Sequence, residues 1–165
     1  MPRENTGKRR RTRRRGERKN VGRVSIPDDP SALAELCRRY GVVVLYVFGS
    51  RAEEIGARVR GEDAAGASSD ADADVGALPG PECELGVKAR VDLTQALEDL
   101  LGVARVDLVI LREADPFLAA NIIRGERLYA EDAHAADEYD LYVLRRAGDL
   151  APLERERMAL ILGEE

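Results

Sequence analysis

The 165-residue chain has no tryptophan, one histidine and two cysteines. No segment approaches the roughly 18 consecutive apolar residues that a membrane-spanning helix needs. Cys37 and Cys83 lie far apart and lack the spacing of thiolate metal ligands, so neither a disulfide framework nor a cysteine metal site is expected. Cys37 falls on a predicted helix face and reads as a small buried apolar residue. The first residues lack the apolar core of a signal peptide. Together these absences exclude a membrane protein and a disulfide scaffold, and they make the reducing cytoplasm the expected location.

Positive charge is also scarce, except at one end. The formal net charge is −5, yet residues 1–23 hold eleven Lys or Arg against only Glu4 and Glu17. Residues 24–165 therefore carry 15 basic and 29 acidic side chains, a net −14. An acidic body is a poor glove for nucleic acid but suits metal binding or a basic partner. The arm has too little apolar content to offset the entropy of ordering, so disorder is expected there. Such an arm can touch nucleic acid transiently, or it can be only a solvated tail.

What is present is the pattern of a small α/β domain. A helix is expected from Asp29-Pro30, with Leu33, Leu36, Cys37 and Tyr40 at helical spacing and Gly41 closing it. Val42–Phe48 is apolar on both faces and reads as a covered central strand. A helix from Ser50 to about Arg60 is followed by a Gly/Ala/Ser-rich loop over 61–69. A second strand runs from about Ala73 to Leu78, stopped by Pro79-Gly80-Pro81. Helix Val87–Leu101 ends at Gly102, strand Arg105–Leu111 follows, and Asp115-Pro116 opens another helix to about Arg124. Arg127–Ala130 reads as a short strand or a packed extension. From Asp137 the chain is expected to be helical, with an apolar stripe of Ala136, Tyr139, Val143, Ala147 and Leu150 that continues through Leu153, Met158, Ile161 and Leu162 after Pro152. The expected organisation is a basic arm (1–28), a folded domain (29–131) and a helical appendix (132–165).

Three features carry chemistry. At the end of the first apolar strand, Gly49 permits a tight bend and close approach to a ligand. A helix that follows would aim its first N–H groups at phosphate oxygens, with the Ser50 hydroxyl and the Arg51 guanidinium as further donors. Second, Asp72 and Asp74 precede the apolar Val75-Gly76-Ala77-Leu78, and residues two apart on a strand share a face. Their mutual repulsion, on the order of 1 kcal/mol even at surface dielectric, is relieved by a shared divalent cation. Asp70 and Asp72 have the same spacing; the first choice is Asp72 and Asp74 because Asp74 abuts the apolar run. Third, Asp107 lies within an apolar run, where a buried carboxylate would need a cation or hydrogen-bond donors, Arg105 being the nearest alternative partner.

Tyr46-Val47-Phe48-Gly49-Ser50-Arg51-Ala52, Asp72-Ala73-Asp74-Val75-Gly76 and Val106-Asp107-Leu108-Val109 resemble the DNA polymerase β-type nucleotidyltransferase superfamily, and its minimal bacterial and archaeal members in particular. A weaker likeness extends over Ile122–Tyr129, so that the resemblance covers about residues 31–131. It implies a small mixed β-sheet with flanking helices. It also implies Mg²⁺ held by Asp72, Asp74 and Asp107, and a triphosphate, expected to be that of ATP, gripped at Gly49, Ser50 and Arg51. The implied reaction is in-line displacement at the α-phosphorus, with Asp107 helping to deprotonate the acceptor hydroxyl. Minimal members often act as antitoxins beside a small helical (HEPN-type) toxin, and some transfer AMP onto a toxin tyrosine. In this chain the spacer from Ser50 to the first aspartate is about twice as long as in those proteins.

Two other classes of function compete with the enzyme. One is a catalytically silent antitoxin that neutralises a helical toxin by binding alone. The other is a nucleic-acid-binding module that uses residues 1–23. The apolar stripe on the last helices makes a homo-oligomer or heterocomplex credible. Arg127 and His134 fit the loose Arg-x(4–6)-His pattern of the helical toxins. The residues between them do not read as one helix, and His134 is expected to be exposed.

Overall fold

The computed structural model describes residues 30–62 and 72–162. The expected basic arm, the Asp29 cap, Asp70 and most of the Gly/Ala/Ser-rich loop lie outside the described residues.

The described residues form nine elements in chain order: α1 (Pro30–Arg39), β1 (Val42–Phe48), α2 (Ala52–Val59), β2 (Asp72–Pro79), α3 (Val87–Leu101), β3 (Arg105–Ile110), α4 (Pro116–Ile123), β4 (Glu126–Ala130) and α5 (Ala133–Leu162). The strands form one mixed sheet in the order β3-β2-β1-β4. β1 pairs antiparallel with both β2 and β4, while β2 and β3 run parallel. The two apolar runs of the sequence thus become the central strands, as their two-sided hydrophobicity predicts.

Helices cover both faces, so alternate strand residues enter two separate cores. Leu45, Val47, Ala73, Val75, Ala77, Val106 and Ile110 pack with Leu33 and Cys37 of α1, Ile55 of α2, and Leu93, Leu97 and Leu101 of α3. On the opposite face Val44, Tyr46 and Phe48 pack with Ala119, Ala120 and Ile122 of α4, and with Ala136, Val143 and Ala147 of α5. Cys37 is fully buried, and burial pushes its thiol up to about 12, in keeping with an inert apolar role.

Local chemistry sets most boundaries. Gly102 closes α3 in the left-handed region at φ 61°, its N–H reaching Glu98 O. Asp115 caps α4, its Oδ1 accepting from Phe117 N at 2.9 Å and Leu118 N at 3.1 Å, and Pro116 occupies the first turn. The last helix begins at Ala133, four residues before the expected Asp137. Its cap is Asp132, whose Oδ1 accepts from His134 N at 2.9 Å and Ala135 N at 3.0 Å. α5 runs through Pro152, which withdraws one backbone donor without ending the helix.

The apolar stripe of α5 behaves differently along its length. Ala136, Val143 and Ala147 are buried against the domain, whereas Leu153, Met158, Ile161 and Leu162 are exposed. His134 is exposed on α5 and Arg127 belongs to β4, so the two do not share a helix. Among the described residues, no helix is long and apolar enough to cross a membrane.

Candidate active site

The C-terminal end of β1 and the N-terminal ends of β2 and β3 meet at one margin of the sheet. Ladder register sets the positions there: Phe48 pairs with Asp74, Asp74 with Asp107, and Asp72 with Arg105. Parity then assigns the face. Gly76 lies against Ile122 of α4, and Val109 packs into the α4/α5 core. Asp72 and Asp74 share the parity of Gly76, and Asp107 shares that of Val109. All three carboxylates therefore rise on the same side of the sheet, from two adjacent strands.

The β1 turn closes over this group. Gly49 has φ +79°, and a Cβ added there would stand 2.6 Å from Asp74 Oδ2. Glycine is thus required twice, once for the left-handed backbone and once because the Asp74 carboxylate fills the space a side chain would need. Ser50 is exposed in the turn, and α2 begins two residues later. Ala52 N bonds to Gly49 O at 3.3 Å and Ile55 N to Arg51 O at 3.0 Å, which fixes the turn to the helix. Arg58 donates to Leu101 O at 2.7 Å and anchors the far end of α2 to α3.

Arg51 is held by a residue that the sequence reading did not single out. Its Nε and Nη2 donate to Glu54 at 3.0 and 2.7 Å, a bidentate contact within the first turn of α2. The hydrogen bond to Glu54 raises the Arg51 pKa above its ordinary value, and the charge of Asp72 adds to the effect. The spacing Arg-x-x-Glu at a helix start is the signal that could have revealed it.

Asp107 departs from expectation. Its apolar neighbours predict a carboxylate costly to bury; β3 is instead an edge strand, and the Asp107 side chain remains 46% exposed. Arg105, two residues earlier on the same face, donates from Nη2 to Asp107 Oδ1 at 2.6 Å. Asp72 is exposed and Asp74 half-buried. As the side chains stand, no three Asp, Glu, His or Cys groups among the described residues are gathered tightly enough to hold one ion. The register supplies three hard oxygen donors of the kind a small divalent cation takes.

A second polar group lies on the same face of the sheet, where α5 covers it. Tyr46 lies two residues before Phe48 and is buried; its hydroxyl donates to Asp140 Oδ1 at 2.6 Å. Arg127 of β4 donates to Asp137 at 2.7 Å and lies 3.9 Å from Asp140. Burial, reinforced by Asp140, pushes the Tyr46 hydroxyl far above its ordinary range and keeps it a donor. The first half of α5 is thereby tied to the strand that carries the Gly-Ser turn.

A mixed four-stranded sheet lies between two helical layers with Asp74 against the Gly-Ser turn, and this architecture matches the polymerase beta-like nucleotidyltransferase fold. The polymerase beta nucleotidyltransferase family matches residues 31–134, and the chain belongs to that family. Similar solved structures include a toxin–antitoxin with AMP-PNP, at 22% identity and a TM-score of 0.57 over 81% of this chain and 95% of that one. The MntA–HepT toxin–antitoxin is similar at 21% identity and a TM-score of 0.53, over 80% of this chain and 92% of that one. A complex of the tri-AMPylated Shewanella oneidensis HEPN toxin with its MNT antitoxin gives 22% identity and a TM-score of 0.53, over 80% and 92% of the two chains. These likenesses establish a shared fold. Among curated proteins no sequence matches the chain.

Proposed function

We propose that this chain is a Mg²⁺-dependent nucleotidyltransferase that moves AMP from ATP to a hydroxyl of a protein partner, a small helical toxin of the HEPN type. The observation that carries this reading is the relation of Gly49 to Asp74: the turn leaves out a side chain where the carboxylate stands, and Asp107 is the ladder partner of Asp74 on the next strand. Membership of the family and the toxin–antitoxin complexes among the similar structures support it.

In this reading Asp72, Asp74 and Asp107 hold the magnesium, and their oxygen-only chemistry fits that ion. When bound, the metal supplies positive charge opposite the phosphate oxygens and the leaving pyrophosphate. Gly49 lets the backbone approach the triphosphate, Ser50 offers its hydroxyl, and Arg51, held by Glu54, presents a fixed charge beside the turn. Asp107 accepts the proton of the acceptor hydroxyl. The hydroxyl oxygen bonds to the α-phosphorus as the bond from that phosphorus to the bridging oxygen breaks. The protein's contribution is positioning and electrostatics rather than covalent chemistry.

The test is incubation with α-labelled ATP and Mg²⁺, with and without the product of the neighbouring reading frame. Label on that protein, lost in Asp72→Ala and Asp74→Ala, is the expected result. A stable complex that never acquires label overturns catalysis and leaves the second reading, a silent antitoxin. That alternative is favoured by one specific contact, the Arg105 guanidinium on Asp107.

A further inference from the structure

The carboxylates do not stand alone on their face of the sheet. Arg105 is the ladder partner of Asp72 and has the parity of Asp107, so its side chain rises among the three acids. It lies 2.6 Å from Asp107, with 64% of its side chain and 46% of that of Asp107 open to solvent. The pair is therefore accessible to ions and free to exchange partners. The Arg51 guanidinium, by contrast, is engaged by Glu54.

We propose that Arg105 is a built-in counter-ion for the site: it occupies Asp107 in the empty protein and must be displaced when a divalent cation binds. The proposal rests on the reading that Asp72, Asp74 and Asp107 are metal ligands. Its physical basis is competition for one set of lone pairs. A carboxylate oxygen that accepts a charge-assisted hydrogen bond is a poorer ligand, and the guanidinium held against it repels the arriving cation. Two-strand register also makes the device compact, because Arg105 pairs with Asp107 and stands across the ladder from Asp72, so that one residue offsets part of the carboxylates' mutual repulsion when no ion is bound.

Exposed ion pairs are weak, so Arg105 sets a threshold for metal loading rather than a lock. Residue-specific discrimination follows from geometry. Lysine retains the charge but not the planar fork, and glutamine retains hydrogen bonding without charge.

The experiment measures binding of Mn²⁺ alone to the full chain, without nucleotide, by calorimetry and by the electron paramagnetic resonance signal of free Mn²⁺. Arg105→Gln is expected to tighten Mn²⁺ binding about two- to fivefold, the range open to an exposed pair, with Arg105→Lys between it and the wild type. Unchanged or weaker binding in Arg105→Gln overturns the counter-ion role. Asp74→Asn tests the underlying reading separately: it is expected to abolish uptake in both backgrounds. Uptake that survives Asp74→Asn, or no uptake by any variant, overturns the metal centre itself and the role of Arg105 with it.

Discussion

The Tyr46 hydroxyl donates to Asp140 Oδ1 at 2.6 Å, joining the centre of the sheet to the last helix across 94 residues of sequence. Tyr46→Phe deletes the donor and leaves a half-buried carboxylate short of a partner, a change that typically costs about 1–3 kcal/mol. Urea denaturation is expected to show that loss with an unchanged slope. A loss no larger than a surface substitution gives would mean that Arg127 alone satisfies Asp140.

Burial of the same carboxylate gives α5 docking a pH dependence. Burial raises the Asp140 pKa above its ordinary 3.8, against the opposing pull of Tyr46 and Arg127. A raised pKa means that the folded state binds more protons in that window, so this contribution is complete below 3.8 and declines as pH climbs through the folded value. The stability difference between wild type and Asp140→Asn, followed across mildly acidic pH, is expected to shift against the wild type as pH rises. A flat or opposite trend would remove the desolvation argument.

Much of this architecture was readable beforehand because local and global signals agree. Val42–Phe48 is apolar at every position, which only a covered central strand explains, and Gly102 and Asp115-Pro116 punctuate helices by backbone chemistry alone. β4 was ambiguous because Glu126 and Arg127 are polar and the strand lies at an edge, where one side of the ladder is open. α5 starts four residues before Asp137 because Asp132 caps it, a role that shows only in its contacts with His134 N and Ala135 N. For Asp107 the run of apolar neighbours suggested burial, but burial depends on strand order, and pairing partners are a long-range property. The Arg51–Glu54 clamp falls in the same category, since its worth depends on the turn that it faces.

Gly76 is packed by a stiff neighbour. A Cβ at this position would stand 2.3 Å from Ile122 Cγ2, on the face that α4 covers. Isoleucine is branched at Cβ and cannot swing that methyl aside cheaply. Gly76→Ala is therefore expected to destabilise the protein by about 1–3 kcal/mol through overpacking. Ile122→Ala removes the obstructing methyl, so the double variant should cost clearly less than the sum of the two single ones. Additive costs in chemical denaturation would show that the helix has moved away rather than collided.

Gly49→Ala separates backbone strain from the site. Holding alanine at φ +79° costs about 1–2 kcal/mol, and its Cβ would meet Asp74 Oδ2 well inside contact distance. The first effect is independent of Asp74; the second disappears when the carboxylate is removed. Gly49→Ala is expected to lower stability modestly but to cut Mn²⁺ uptake severely, because the carboxylate must turn away. In the Asp74→Ala background the same glycine substitution should cost only the backbone share. A cycle that closes additively would mean that turn and carboxylate do not touch, and the proposed seat for the nucleotide would lose its main physical support.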